Sequence, residues 1–377
     1  MAKSGEMTGP FAMAVGSSAA RIWGMGSADR LQRSFRRLGL EEPSAPLGDD
    51  QGLLAADARW VFDESLLRAL ALHADVILVD EEGTPAAVHG RGPAMREAAR
   101  RLAAGEDLAA AAPAYPRLSA LELGSAYNSE LRKREPPILR RLTETNVTQV
   151  EKRLFQGSYK GVTDLVTKYV WPAPARVVTR WCALAGITPN QVTFASFLLV
   201  LAAFALFWTG QFGWGLAAAW AMTFLDTVDG KLARVTLTSS KIGNVFDHGI
   251  DLIHPPFWWW AWLVGVQAGP HPLGQPSLVL GVIVAGYVVQ RLFEGLFLAL
   301  FKVEMHAWRP FDSFFRLITA RRNPNLIMLT LACLAGRPDV GLVVVAAWTA
   351  LSLLVHLAQV LQGLATPRGL VTSWLAR

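Results

Sequence analysis

The apolar positions divide the chain into two parts near residue 185. Before it they come in short clusters broken by charge. Ala19–Gly24 and Val76–Val79 read as short buried strands, being compact apolar runs. Asp63–His73 and Pro93–Leu102 carry a helical period. The segment RIWGMGSADRLQRSFRRLG, from Arg21 to Gly39, reads as a strand, a glycine turn and a helix capped by Ser27 or Asp29. Such a turn can cradle phosphate. Gly24 and Gly26 alone do not make a nucleotide loop, so a structural turn is the simpler reading. Residues 1–135 are expected to form a small α/β domain.

After residue 185 long apolar runs dominate. Six stand at about 190–209, 213–235, 246–267, 277–301, 324–336 and 340–363, the fifth being short. Crossing a bilayer takes about 20 apolar residues, so 187–365 is expected to be an all-α, six-helix transmembrane bundle, with a tail at 366–377. Residues 136–186 form a connector. Its Tyr169, Trp171, Arg176, Arg180 and Trp181 suit an amphipathic helix at the membrane interface.

Charge orients these elements. Lys231, Arg234 and Lys241 lie between the second and third runs. Lys302, Arg309, Arg316, Arg321 and Arg322 lie between the fourth and fifth, and Arg368 follows the sixth. The opposite loops hold little that is basic beyond Arg337. By the positive-inside rule the charged side, which is also the side of the N-terminal domain, is cytoplasmic. The start of the chain carries no signal-peptide pattern. An integral membrane protein of a bacterial inner membrane is expected.

The net charge of +6 suits an anionic membrane surface or phosphorylated substrates. No basic stripe with interleaved aromatics appears, so nucleic acid is not an expected partner. Cys182 and Cys333 sit far apart and read as small buried hydrophobes.

The chemistry concentrates in FLDTVDGKLARVTLTSSKIGNVFDHGID. Asp226, Asp229, Gly230 and Ala233 stand at i, i+3, i+4 and i+7, on one helical face. Gly243, Asp247 and Asp251 share a face of the next helix, and the chain reverses between the two. Four carboxylates at the mouth of a membrane bundle repel one another and are costly. Divalent cations relieve both problems, and hard oxygen ligands suit Mg²⁺ or Mn²⁺. Gly230, Ala233 and Gly243 leave room for a nucleotide or a neighbouring helix, and Arg234 can reach a phosphate.

The segment resembles the defining motif of the CDP-alcohol phosphotransferase family, D-x-x-D-G-x-x-A-R-x8-G-x3-D-x3-D, at every fixed position. The resemblance covers about residues 150–365. It implies that Asp226, Asp229, Asp247 and Asp251 hold a pair of metal ions, with Asp251 also the general base. It implies that Asp229, Gly230, Ala233, Arg234 and Gly243 meet the nucleotide. ITPNQVT is similar to a second family element, which would add Pro189, Asn190 and Thr193; a helix cap by Thr188 or Asn190 is compatible with that role.

The expected reaction attacks the alcohol-bearing phosphorus of a CDP-alcohol with an acceptor hydroxyl and releases CMP. The donor stays open between CDP-diacylglycerol and a CDP-polyol. The acceptor is an alcohol or a phosphorylated alcohol. Arg291, Arg309, Arg316, Arg321 and Arg322 are candidates to hold it, although positive-inside residues also explain the loop arginines. Arg291 and Glu294 read as an ion pair, His306 as an interfacial residue, and Trp258–Trp260 as a bilayer or dimer contact. The family usually forms homodimers, so a homodimer is expected. The N-terminal domain vaguely resembles a degenerate cytidylyltransferase. A cation- or proton-coupled transporter using the same aspartates is the alternative.

Overall fold

A computed structural model describes residues 10–124, 127–128, 131–239 and 241–376, without the side chains of residues 241, 242 and 244–248. The chain forms two compact units. One holds the chain up to Ser158 with the turn Val235–Leu237, and the other holds Tyr159–Arg234 and the chain from Thr238 onward.

The first unit runs β1 (Phe11–Val15), β2 (Arg21–Ile22), β3 (Met25–Gly26), α1 (Ser27–Arg37), β4 (Gly52–Asp57), β5 (Trp60–Phe62), α2 (Glu64–Leu72), β6 (Val76–Val79), β7 (Pro85–Arg91), α3 (Gly92–Ala104), β8 (Arg117–Ser119), α4 (Ala120–Leu123) and α5 (Val147–Gly157). Five strands make one sheet in the order β1-β4-β7-β6-β8. β7 is antiparallel to both neighbours, whereas the outer pairs are parallel. Successive strand residues point to opposite faces. Leu54, Ala56, Val76 and Leu78 therefore pack with Leu31, Phe35, Leu66 and Leu70 of α1 and α2. Leu53, Ala55, Ile77 and Val79 pack with Met95, Ala98 and Leu102 of α3. Both faces are covered, as an α/β layer requires.

Two local expectations change. The strand expected at Ala19–Gly24 shrinks to the Arg21–Ile22 pairing with Met25–Gly26, because Trp23 (φ 52°) and Gly24 (φ 76°) reverse the chain between them. Left-handed backbone is unfavourable at tryptophan; here its amide is held by the Glu151 carboxylate at 2.8 Å. Helix α1 starts at Gly26 with no side-chain cap, so neither Ser27 nor Asp29 caps it. Asp63 does cap α2, accepting from the Ser65 amide at 3.1 Å.

The second unit continues with α6 (Pro172–Leu184), α7 (Pro189–Trp208), α8 (Phe212–Val235), α9 (Lys241–Gln267), α10 (Pro276–Phe301), α11 (Pro310–Phe315), α12 (Arg322–Leu334) and α13 (Pro338–Ala365). Among the described residues α7, α10 and α13 are long and apolar enough to cross a membrane. Helices α8 and α9 carry the charged motif, and α12 has only 13 residues.

Trp258, Trp259 and Trp262 of α9 sit in the core with Phe207, Met222 and Leu342. The reading of Trp258–Trp260 as an outer contact is corrected for two of the three. Helix neighbours point about 100° apart, so only Trp260, at 43% exposure, faces outward. The indole N–H groups of Trp258 and Trp262 donate to the Val200 and Pro338 carbonyls, each at 3.0 Å. Small residues bring the helices close. A Cβ on Gly265 would collide with the Phe207 carbonyl, and one on Gly286 would meet Thr349 at 2.5 Å.

Helix α13 also buries a polar row. The Thr349 carbonyl accepts from Gln290 at 3.4 Å, Ser352 accepts from the Ala320 amide at 3.1 Å, and Gln359 donates to Asp312 at 2.9 Å. These bonds tie α10 and the segment 302–321 to the helix.

Candidate active site

Helices α7, α8, α9 and α12 bring the motif together. Pro189 occupies the first turn of α7, and Thr188 caps it in a reciprocal pair with Gln191. The helix-cap reading holds, through Thr188 rather than Asn190. One turn on, Thr193 donates to Asp229 Oδ2 of α8 at 2.6 Å. Both residues are buried, and Asp229 Oδ1 has no hydrogen-bond partner among the described residues. A buried, unpartnered carboxylate oxygen asks for a cation or a proton. Together with Asp226 and Asp251 it offers the hard donor set a divalent ion takes, so these residues fit the expected metal.

Arg322, on the first turn of α12, bridges two of the aspartates. One end of its guanidinium donates to Asp226 Oδ2 at 2.6 Å and the other to Asp251 Oδ1. The next residue anchors that turn: Asn323 donates to Asp164 at 2.9 Å. Asp164 also accepts from the Val166 and Thr167 amides. Burial works against its ionisation, but the Arg316 charge and these donors hold its carboxyl below the ordinary value. Arg234 lies beside Gly230, where a Cβ would stand 3.0 Å from its guanidinium. Ala233 is partly buried, and Gly243 lies in the first turn of α9. The side chain of Asp247 lies outside the described residues.

A second cluster gathers around Glu294 of α10. Its carboxylate meets Arg291 at 2.8 Å, Arg321, His306 at 3.2 Å and His356 at 3.3 Å. The expected Arg291–Glu294 pair is present. His306 is buried, which corrects its reading as an interfacial residue. Burial holds its imidazole pKa down to about 3, against the pull of Glu294. The ligand atoms of Glu294, His306 and His356 lie within 4.8 Å of one another, close enough to hold a metal. Two guanidinium groups already share that carboxylate, however, so positive charge exceeds negative before any ion arrives. Arg291 Nε, Arg316 Nη1 and Arg321 Nε are buried donors without a partner among the described residues. Unpaired buried donors cost about 1–3 kcal/mol each, and an anion would satisfy several at once. Arg309 stands apart, held by Asp312 through two bonds of 2.9 Å and by Gln362.

Residues 186–356 match the family model for CDP-alcohol phosphatidyltransferase. That segment is a CDP-alcohol phosphatidyltransferase domain. The chain is 36% identical over 83 residues to a phosphatidylinositol phosphate synthase of Mycobacteroides abscessus, covering 20% of this chain and 38% of that protein. It is 39% identical over 79 residues to an archaetidylinositol phosphate synthase of Pyrococcus horikoshii, covering 21% and 42%. It is 31% identical over 145 residues to cholinephosphotransferase 1 of Mus musculus, covering 36% and 33%. The chain thus spans less than half the length of each of these relatives.

Within the phosphatidyltransferase domain, sequence reasoning placed Asp226, Asp229 and Asp251 on α8 and α9 by spacing, and Pro189, Asn190 and Thr193 on α7 by the family resemblance. It missed Asp164 and Asn323, which seat Arg322, and the gathering of His306 and His356 on Glu294. Those partners come from separate elements with no local spacing to betray them.

Proposed function

We propose that the protein transfers a phospho-alcohol group from a membrane-borne CDP-alcohol to a phosphorylated acceptor alcohol, releasing CMP. The observation that carries this is the convergence of Thr193, Asp226, Asp229 and Asp251, with a buried Asp229 oxygen free for a cation. Asp226, Asp229, Asp247 and Asp251 would hold Mg²⁺ or Mn²⁺. Bound there, the ions would supply Lewis-acid neutralisation of the pyrophosphate charge. Gly230, Ala233, Gly243, Arg234, Pro189 and Asn190 accommodate the cytidine and its phosphates. Asp251 takes the proton of the acceptor hydroxyl. The new P–O bond forms to the alcohol-bearing phosphorus as the pyrophosphate P–O bond breaks, and CMP leaves with the bridging oxygen.

The acceptor side rests on the unpaired donors of Arg291, Arg316 and Arg321, which suit a phosphomonoester better than a neutral alcohol. The phosphatidylinositol phosphate synthase and the archaetidylinositol phosphate synthase among the relatives point the same way. Arg309, committed to Asp312, is dropped from this role. Arg322 serves the aspartates rather than the acceptor. Six spans, an active site on the cytoplasmic side and a homodimer complete the proposal. The transporter reading gains no support from the family match. The first unit takes a structural or regulatory part: Asp57, at the end of β4, is buried and committed to Arg59 through bonds of 2.8 Å.

The test is CMP release in detergent from a panel of CDP-alcohols, with phosphorylated and unphosphorylated acceptors, beside Asp251→Asn. Release that needs a divalent ion and one donor–acceptor pair, and stops with chelator or in the variant, is expected. Full turnover in Asp251→Asn would remove Asp251 as the base.

A further inference from the structure

Arg322 sits where the proposed ions would act. Its two donors reach different helices, Asp226 on α8 and Asp251 on α9. Its side chain is only 15% exposed and that of Asp226 16%, so water competes weakly for that pairing, whereas Asp251 is 40% exposed and open to an incoming ion. The backbone that carries it is fixed by the Asn323–Asp164 bond. The guanidinium therefore cannot drift far from the carboxylates, and among the described residues its further hydrogen-bond contact is the Met222 sulfur at 3.7 Å, a poor acceptor. A divalent ion bridging Asp226 and Asp251 draws on the same two carboxylates that this guanidinium neutralises.

We propose that Arg322 is a built-in cation that competes with the divalent ions for Asp226 and Asp251, and so sets the metal affinity of the site. The proposal rests on the metal-dependent reading above. A guanidinium brings one positive charge to two carboxylates and a divalent ion brings two, so the ion wins, but only after displacing a tethered rival. Metal binding is thereby made weaker than the four aspartates alone would give. Arg322 is a positioning residue in this account: it holds α8 and α9 in register through the carboxylates and yields them when the ions bind.

The experiment measures Mn²⁺ binding to the purified full chain by electron paramagnetic resonance of the free ion, without substrate. It compares the parent protein with Arg322→Met, Arg322→Lys and Asp229→Asn, and records melting temperature with and without Mn²⁺. Removing two charge-assisted bonds is expected to tighten Mn²⁺ binding roughly tenfold in Arg322→Met. That variant should melt lower than the parent without Mn²⁺ and gain more from it. Arg322→Lys, a point charge that cannot bridge both carboxylates, should fall between the two. If Arg322→Met does not fold, the Lys variant carries the test. Affinity unchanged or weaker in the Arg322 variants, while Asp229→Asn abolishes binding, overturns the competition and leaves the metal reading intact. Mn²⁺ binding absent from every protein, the parent included, overturns both.

Discussion

The Thr193 hydroxyl has one proton and two acceptors within reach, Asp229 Oδ2 at 2.6 Å and the Pro189 carbonyl at 3.1 Å. The shorter bond to the charged oxygen wins, because hydrogen bonds to ionised acceptors are about twice as strong. Thr193→Val keeps the shape and removes the donor. A bond to a charged group contributes about 1.5–3 kcal/mol, and a tenfold rate change corresponds to about 1.4 kcal/mol. If the bond orients Asp229 for the transition state, kcat/KM should fall by roughly 10- to 150-fold. Thr193→Ser keeps the hydroxyl and should stay close to the parent. The assay is steady-state CMP release at several Mg²⁺ concentrations, with melting temperature as the control for folding. Thr193→Val within twofold of the parent would refute the reasoning, since a hydroxyl merely back-bonded to its own helix contributes little to catalysis.

Other outcomes follow from the same geometry. Arg316→Met and Arg321→Met should each raise KM for a phosphorylated acceptor by about tenfold while leaving KM for the CDP-alcohol unchanged, as initial rates with either substrate varied would reveal. Gly265→Ala forces a Cβ onto the Phe207 carbonyl, and overpacking of this kind costs about 1–3 kcal/mol; thermal unfolding in detergent should show a lower melting temperature. His306 has its pKa lowered from 6.5 to about 3 in the fold. The unfolded chain gains a proton as pH falls through about 6.5 and the fold does not, so stability drops from there toward pH 3. His306→Gln should flatten that part of the stability–pH curve, and an unchanged slope would place the effect elsewhere. CTP hydrolysis or transfer should be undetectable, because the first unit holds Asp57 in a fixed pair with Arg59.

The long helices were legible because an apolar run of about 20 residues leaves little freedom; α7, α8 and α10 begin and end within a residue of the apolar runs. The aspartate face was legible for the same kind of reason, since i, i+3 and i+4 spacing dictates neighbours on a helix. The sheet was harder. GLLAAD and PAAVHGR, the strands β4 and β7, are covered on both faces and rich in alanine, so they show neither alternation nor strong strand propensity. Trp258–Trp260 misled because three like residues in a row suggest one environment, whereas a helix sends them in three directions. Arg322 was legible as a loop cation but not as the partner of Asp226, 96 residues away.

The polar row on α13 bears on how the protein is made. Until α13 is in place, Gln290 and the Ala320 amide lack the partners they have in the finished fold, and Asp312 keeps Arg309 but lacks Gln359. Hydrocarbon offers Gln290, inside α10, no substitute for its bond, and α13 leaves the ribosome after every other part of the candidate site. The earlier helices must therefore wait, incompletely satisfied, for the one that closes them. A chain released before residue 338 would carry the aspartate motif in full and still display unpaired polar groups, the kind of surface by which a cell tells an unfinished membrane protein from a finished one.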